Sequence, residues 1–165
     1  MKVSVVIPCF QAESTILELG SRLTNTLAEI TPNFEIILVD DGSLDATWDL
    51  IMLLAQTNPQ VSGIKLSRNF GQHPTIMAGL SHAKGEWICF LDSDDAFMAD
   101  HLEVFQSRIT SGMHFPALLV AGIQVQHEDG VLFKRDFLDE SKSMLIEIGE
   151  KFIIPSQVCA HASVF

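Results

Sequence analysis

Asp92, Asp94 and Asp95 place three carboxylates within four positions, with Ser93 between the first two. Carboxylates so close raise one another's pKa, and only a cation, donor hydrogen bonds or full solvation relieves the repulsion. A divalent metal is the most economical relief, and an oxygen donor set suits Mg2+ or Mn2+. The apolar run Trp87-Ile88-Cys89-Phe90-Leu91 leads directly into the cluster and is bounded upstream by Gly85. It reads as a buried strand that delivers the acids to one of its ends.

Such a strand needs neighbours, and the first hundred or so residues supply them by alternating between two periodicities. Val3 to Ile7 is a β-branched strand, expected to end at Pro8. Ser14 is a candidate cap for a helix whose apolar positions Ile16, Leu19, Leu23, Leu27 and Ile30 recur at helical spacing. Phe34 to Val39 and Val61 to Leu66 read as the second and third strands. Helices are expected over Ala46 to Gln56, from about Pro74 to Ala83, and over about Ala99 to Ser111. This rhythm predicts an α/β fold, a mostly parallel sheet with helices on both faces. Ligands of such sheets bind at the carboxyl ends of the strands. Polar residues gather at all four ends: Pro8, Phe10 and Glu13; Asp40, Asp41 and Ser43; Arg68, Asn69 and Gly71; Asp92, Asp94 and Asp95.

Beyond about residue 112 the rhythm changes. Phe115 to Gln126 and Val131 to Arg135 flank His127-Glu128-Asp129-Gly130, whose Asp-Gly pair signals a hairpin. A helix from about Glu140 to Ile148 and a strand-like tail from Gln157 to Phe165 are expected next. The chain stops inside that apolar tail, so one domain truncated at its C-terminus is the expectation, with 1–111 as its β/α part and 112–165 as the start of a second part.

Bulk properties bound the function. The 165 residues suffice for one domain burying roughly 70% of its unfolded surface. With 47% hydrophobic and 19% charged residues the chain is globular, not disordered. A formal net charge of −11 argues against nucleic acid or an anionic membrane as an electrostatic partner. Cys9, Cys89 and Cys159 are widely spaced, without a CxxC pair, and read as reduced cytosolic thiols. The N-terminal apolar run is too short for a signal peptide, and the longest other run, Ala117 to Ile123, is strand-length. A soluble, cytoplasmic protein is expected.

The common nucleotide and hydrolase signatures are missing: no Gly-x-Gly-x-x-Gly, no Gly-Lys-Ser/Thr loop, no Gly-x-Ser-x-Gly elbow. A metal-dependent site for a phosphorylated ligand remains. Val5-Val6-Ile7-Pro8, Val39-Asp40-Asp41-Gly42-Ser43, Arg68-Asn69-Phe70-Gly71-Gln72 and Leu91-Asp92-Ser93-Asp94-Asp95 stand in order along the chain. Together they resemble the donor-binding N-terminal part of a family 2 glycosyltransferase with the GT-A (nucleotide-diphospho-sugar transferase-like) fold, over about residues 1 to 110.

The resemblance implies roles position by position. Asp40 and Asp41 match an acid pair whose first member typically accepts from the base. Pro8, Phe10 and Glu13 match the loop lining the nucleotide, and Arg68 and Asn69 match residues near base and ribose. Asp92 and Asp94 match the DxD metal motif, with Asp92 and Ser93 also near the nucleotide sugar and Mn2+ or Mg2+ as cofactor. It further implies transfer, with inversion, from a nucleotide-diphosphate sugar to a glycan or polyprenyl-linked acceptor in cell-envelope polysaccharide synthesis. UDP is favoured and GDP allowed. A full-length protein would work in the cytoplasm, with room for peripheral association at the inner face of the membrane. The segment from Arg68 to Gly79 is similar to the branch that loads polyprenyl phosphate, whereas Asp95-Ala96-Phe97-Met98 resembles the glycan-building branch. In this family the catalytic base usually lies further along, here beyond Phe165.

Plainer readings stand beside these. Ser43 and Asp45 can simply cap the second helix, and Asp95 a short later one. Asp40 and Asp41 can be surface turn residues, and Asn69 and Gly71 can merely shape a turn. His73 and His161 read as structural, Cys9 and Cys89 as inert buried thiols. Rival functions are a nucleotide-sugar-binding fragment without activity, a nucleotidyltransferase of related fold, and a receiver-like regulatory module. Gln11-Ala12-Glu13 is not the Gly-rich basic loop of a nucleotidyltransferase, and the acids do not fall as in a receiver.

Overall fold

A computed structural model describes residues 2–93, 118–120, 124–127, 130–134 and 158–161. Strands β1 (Val3–Cys9), β2 (Phe34–Asp40), β3 (Val61–Lys65) and β4 (Trp87–Phe90) alternate with helices α1 (Ile16–Ile30), α2 (Thr47–Thr57) and α3 (Gln72–Leu80). The four strands pair in parallel in the order β3-β2-β1-β4. Strand β8 (Val158–His161) adds antiparallel to β4, and β5 (Leu118–Val120) adds antiparallel to β8. The expected hairpin is present as β6 (Gln124–His127) and β7 (Gly130–Lys134), with His127 opposite Gly130. The expected long strand from Phe115 is instead two described strands in different sheets. The helices expected over 99–111 and 140–148 lie outside the described residues.

Strand alternation distributes the core onto two faces. Val3, Val5 and Ile7 of β1, Ile36 and Leu38 of β2, and Trp87 and Cys89 of β4 pack under α1 and α2. Val6, Ile37, Val39, Ile88 and Phe90 point the other way, onto Ile76 of α3. Both faces of β1, β2 and β4 are thus buried, which is why these segments read as continuous apolar runs. Each fully buried aliphatic side chain contributes about 1.5–3 kcal/mol of transfer free energy. Helices α1 and α2 stop for one shared reason. Thr31 and Asn58 are extended and precede Pro32 and Pro59, and a residue before proline is driven out of helical geometry.

Three expected boundaries move. Strand β1 runs through Pro8 to Cys9, because β1 pairs with β2 as far as Cys9 but with β4 only as far as Val6. The Val6 carbonyl accepts from Leu91 N–H on the β4 side. Pro8, two residues on, turns its missing N–H to that same side, past the last ladder pair, where no donor is needed. Ser14 does not cap α1: the capping position is Thr15, whose hydroxyl turns back to the Ala12 carbonyl. Helix α3 begins at Gln72, two residues before Pro74, since a proline in the first turn removes only an N–H that would lack a helical partner.

Candidate functional site

The carboxyl ends of β1 to β4 open onto one cleft of about 450 Å3. Its wall comes from the loop after β1 (Pro8, Phe10, Gln11, Ala12, Ser14 and Thr15 among it), from Asp41 after β2, from Asn69, Gly71 and Gln72 before and in α3, and from Asp92 and Ser93 after β4. Of the residues singled out in the sequence, Pro8, Phe10, Asp41, Asn69, Asp92 and Ser93 meet here. Glu13, Asp40 and Arg68 are not on this wall, and Asp94 lies outside the described residues.

The two neighbouring aspartates part company at the end of β2. Asp40 still follows strand alternation and points with Leu38 toward the α1/α2 face, where it is 0% exposed. Its Oδ1 accepts from Ser43 N–H at 3.1 Å, and its Oδ2 has no partner among the described residues. Asp41, one residue on, turns to the cleft. Its Oδ1 accepts from Phe70 N–H at 2.8 Å and its Oδ2 from Gly71 N–H at 2.9 Å. The structure therefore puts the second acid of the pair, not the first, on the cleft. A carboxylate offers about four lone-pair sites, so these two bonds leave Asp41 further acceptor capacity.

Asp41 also fixes the loop it touches. Gly42 sits at φ +70°, and a Cβ there would come within 2.5 Å of the Arg68 carbonyl carbon and 2.7 Å of Asn69 N. Only glycine lets the two loops approach this closely. Asn69 Oδ1 accepts a second bond from Gly71 N–H at 3.0 Å, shaping the turn into α3. Arg68 lays its guanidinium over the Phe70 ring, 4.7 Å from the centroid, which accounts for its absence from the cleft wall.

The loop after β1 is stitched to the start of α2. Gln11 N–H donates to Ser43 Oγ (3.0 Å), Ala12 N–H to Thr47 Oγ1 (2.8 Å) and Glu13 N–H to Asp45 Oδ2 (3.3 Å). In return Glu13 Oε2 accepts from Ala46 N–H at 3.0 Å. Glu13 thus clamps the start of α2. Asp45 accepts from Thr47 N–H as a helix-start residue should, whereas Ser43 serves the Gln11 loop. Gln11 is held at φ +50°, in the left-handed region that costs a non-glycine residue about 1–2 kcal/mol. Phe10, next to it, is 45% exposed, an aromatic face presented at the cleft mouth.

Cys9 lies on the cleft floor but offers no nucleophile. Burial, reinforced by the charge of Asp40, pushes its thiol up to about 12. Sequence reasoning passed over Gln72 as a site residue, although its position just after a strand end and in the first turn of a helix is the available signal. Its Nε2 donates to Asp92 Oδ1 at 2.7 Å.

Among the described residues no group of three His, Cys, Asp or Glu converges on one point. The cleft still suits a hard cation: Asp92 and Ser93 offer oxygen donors, and Mg2+-like ions commonly take one or two carboxylates and complete their shell with phosphate and water.

The profile described as Glycosyl transferase family 2 matches residues 4–153. The chain belongs to glycosyl transferase family 2. It is similar to an undecaprenyl-phosphate 4-deoxy-4-formamido-L-arabinose transferase of Aeromonas hydrophila, 43% identical over 93 residues, covering 56% of this chain and 28% of that enzyme. The match thus spans under a third of that relative's length. Among solved structures, S. aureus TarS 1–349 in complex with UDP-GlcNAc is 28% identical with a TM-score of 0.60, covering 75% of this chain and 35% of that one. TarS 1–349 without that ligand covers 99% of this chain and 48% of that one at a TM-score of 0.71 and 23% identity, a likeness of fold. The GT-A architecture expected from the sequence is the one observed.

Proposed function

We propose that this family 2 chain forms the donor half of an enzyme that takes a nucleotide-diphosphate sugar, UDP-linked in the first instance. The sugar would pass, with inversion, to a polyprenyl-phosphate or glycan acceptor of cell-envelope polysaccharide synthesis. The observation that carries the proposal is the single cleft at four parallel strand ends, with Phe10, Asp41 and Asp92 on one continuous wall.

Each group has work suited to its chemistry. The exposed Phe10 ring gives a base a stacking face. Asp41, held by two backbone N–H groups, is oriented to accept from a base N–H such as that of uracil. Asp92 and Ser93, with Asp94 as the further acid of the motif, would hold Mg2+ or Mn2+ and the diphosphate. Such a cation, when bound, supplies charge neutralisation on the departing nucleoside diphosphate. Three hydrogen bonds to the segment that starts α2 hold the loop after β1, and with it Phe10, in place at the cleft.

UDP is favoured by the TarS complex with UDP-GlcNAc, and polyprenyl phosphate by the arabinose-transferase relative. The proposed location is the cytoplasm, with peripheral contact to the membrane where a lipid-linked acceptor would reside. A thermal-shift panel of UDP, GDP and CMP, each with Mn2+ or with EDTA, tests the reading. The expected result is stabilisation by UDP that is larger with Mn2+. Equal, small shifts for all three nucleotides in both conditions would remove it.

A further inference from the structure

Gln72 and Asp92 are twenty residues apart in sequence and meet at 2.7 Å across the cleft, amide to carboxylate. Resting on the sugar-nucleotide reading of this cleft, we infer that Gln72 is a positioning residue for Asp92, setting the carboxylate's orientation for a divalent cation. The amide assignment is fixed by chemistry. Only the NH2 end of the side chain can donate to a carboxylate, and its carbonyl end would repel one.

Gln72 is well placed for this because its own backbone is anchored. It is the first residue of α3, directly after Gly71, whose N–H is shared between Asp41 Oδ2 and Asn69 Oδ1. The Gly71 carbonyl in turn accepts from the buried Thr75 hydroxyl at 2.8 Å. Asp92 follows the end of β4, where Leu91 N–H donates to the Val6 carbonyl at 3.3 Å. The helix start thus reaches both acids of the cleft wall. Gly71 N–H holds Asp41 on one side, and the Gln72 amide holds Asp92 on the other.

A donor aimed at one carboxylate oxygen fixes the plane of the group and relieves part of the repulsion within the acidic cluster. Partners of this kind, one step removed from a metal, typically influence its affinity by about 10–100-fold. Gln72 is exposed, so replacing it leaves the core intact.

The experiment is a Mn2+ titration followed by electron paramagnetic resonance of the free ion at saturating UDP, on wild type, Gln72→Met and Gln72→His. Gln72→Met keeps the length and removes the donor, and Gln72→His returns an N–H at similar reach. We expect Gln72→Met to weaken Mn2+ about tenfold, with UDP affinity in EDTA within about twofold of wild type and Gln72→His recovering most of the loss. The inference is overturned if Gln72→Met holds Mn2+ as wild type does. It is equally overturned if that variant loses UDP affinity to the same extent with and without Mn2+, which would make Gln72 a direct nucleotide contact. A wild type that binds neither UDP nor Mn2+ overturns the sugar-nucleotide reading itself, a result separate from either of these.

Discussion

Asp40 and Asp41 are adjacent and chemically identical, yet one is sealed in the core and the other faces the cleft. Strand alternation and the end of β2 decide which is which. The family resemblance implies the first acid as the partner of the base. The structure keeps that acid in the sheet, in register with Cys9 and Lys65, and sets the second on the cleft wall. Replacing Asp41 by Ala removes two charge-assisted bonds to backbone N–H groups, each worth about 1.5–3 kcal/mol. Urea unfolding of Asp41→Ala should show a lower midpoint with little change in slope. At the same scale, Cys9 is buried with its thiol raised to about 12, so almost no thiolate forms near neutral pH. Ellman's reagent at pH near 8 should leave Cys9 unmodified in the native protein and modify it on unfolding. Rapid native labelling at Cys9 would contradict that description.

The strands and helices around the site were legible because their apolar runs are long and their periods distinct. Their ends were less so. Pro8 looked like a terminator until the unequal lengths of the β1–β2 and β1–β4 ladders explained it. Glu13 looked like a ligand contact, and its clamp on Ala46 cannot be seen without knowing that two loops 33 residues apart meet. Hydrogen bonds between loops depend on tertiary placement, and sequence periodicity carries none of that. One such meeting yields a sharp test. Gly42→Ala forces a left-handed residue to carry a Cβ into the Arg68–Asn69 backbone, so stability should fall by about 2 kcal/mol or more. Differential scanning calorimetry reads this as a lower Tm, and an unchanged Tm would mean the two loops do not approach as described.

At the opposite end of the sheet, Glu35 ties the turn before β4 to β1. It accepts from Ser4 Oγ and Lys84 N–H and pairs with Lys2 at 3.5 Å. Burial raises its carboxyl, and the Ser4 hydroxyl, Lys84 N–H and Lys2 ammonium outweigh that and hold it below the usual value of 4.5. A depressed folded-state pKa gives stability that is present above 4.5 and lost as pH falls through the lower folded value. The Tm gap between wild type and Glu35→Gln should therefore be largest near neutral pH and close in acid. A gap that widens on acidification would reverse the assignment.

For the whole molecule, the fold and the cleft at the carboxyl ends of its strands were both readable from one pattern, four strands each followed by polar residues. A parallel sheet leaves its ligands one place to bind, so the pattern named the end of the sheet as well as its architecture. The contacts within the protein were not readable: Asp40 accepts from Ser43 N–H, Glu13 from Ala46 N–H, and Arg68 lies over the Phe70 ring. The net charge of −11 sharpens the account at this scale. In an acidic molecule, backbone donors and a cation are well suited to hold a diphosphate, and the proposed site puts that weight on Asp92. Calorimetric titration of UDP into wild type and Asp92→Ala, each with saturating Mn2+, measures that dependence directly. The account predicts UDP binding by wild type that Asp92→Ala weakens by tenfold or more, about 1.4 kcal/mol at the least. Binding of equal strength in both proteins, or none in the wild type, would contradict it.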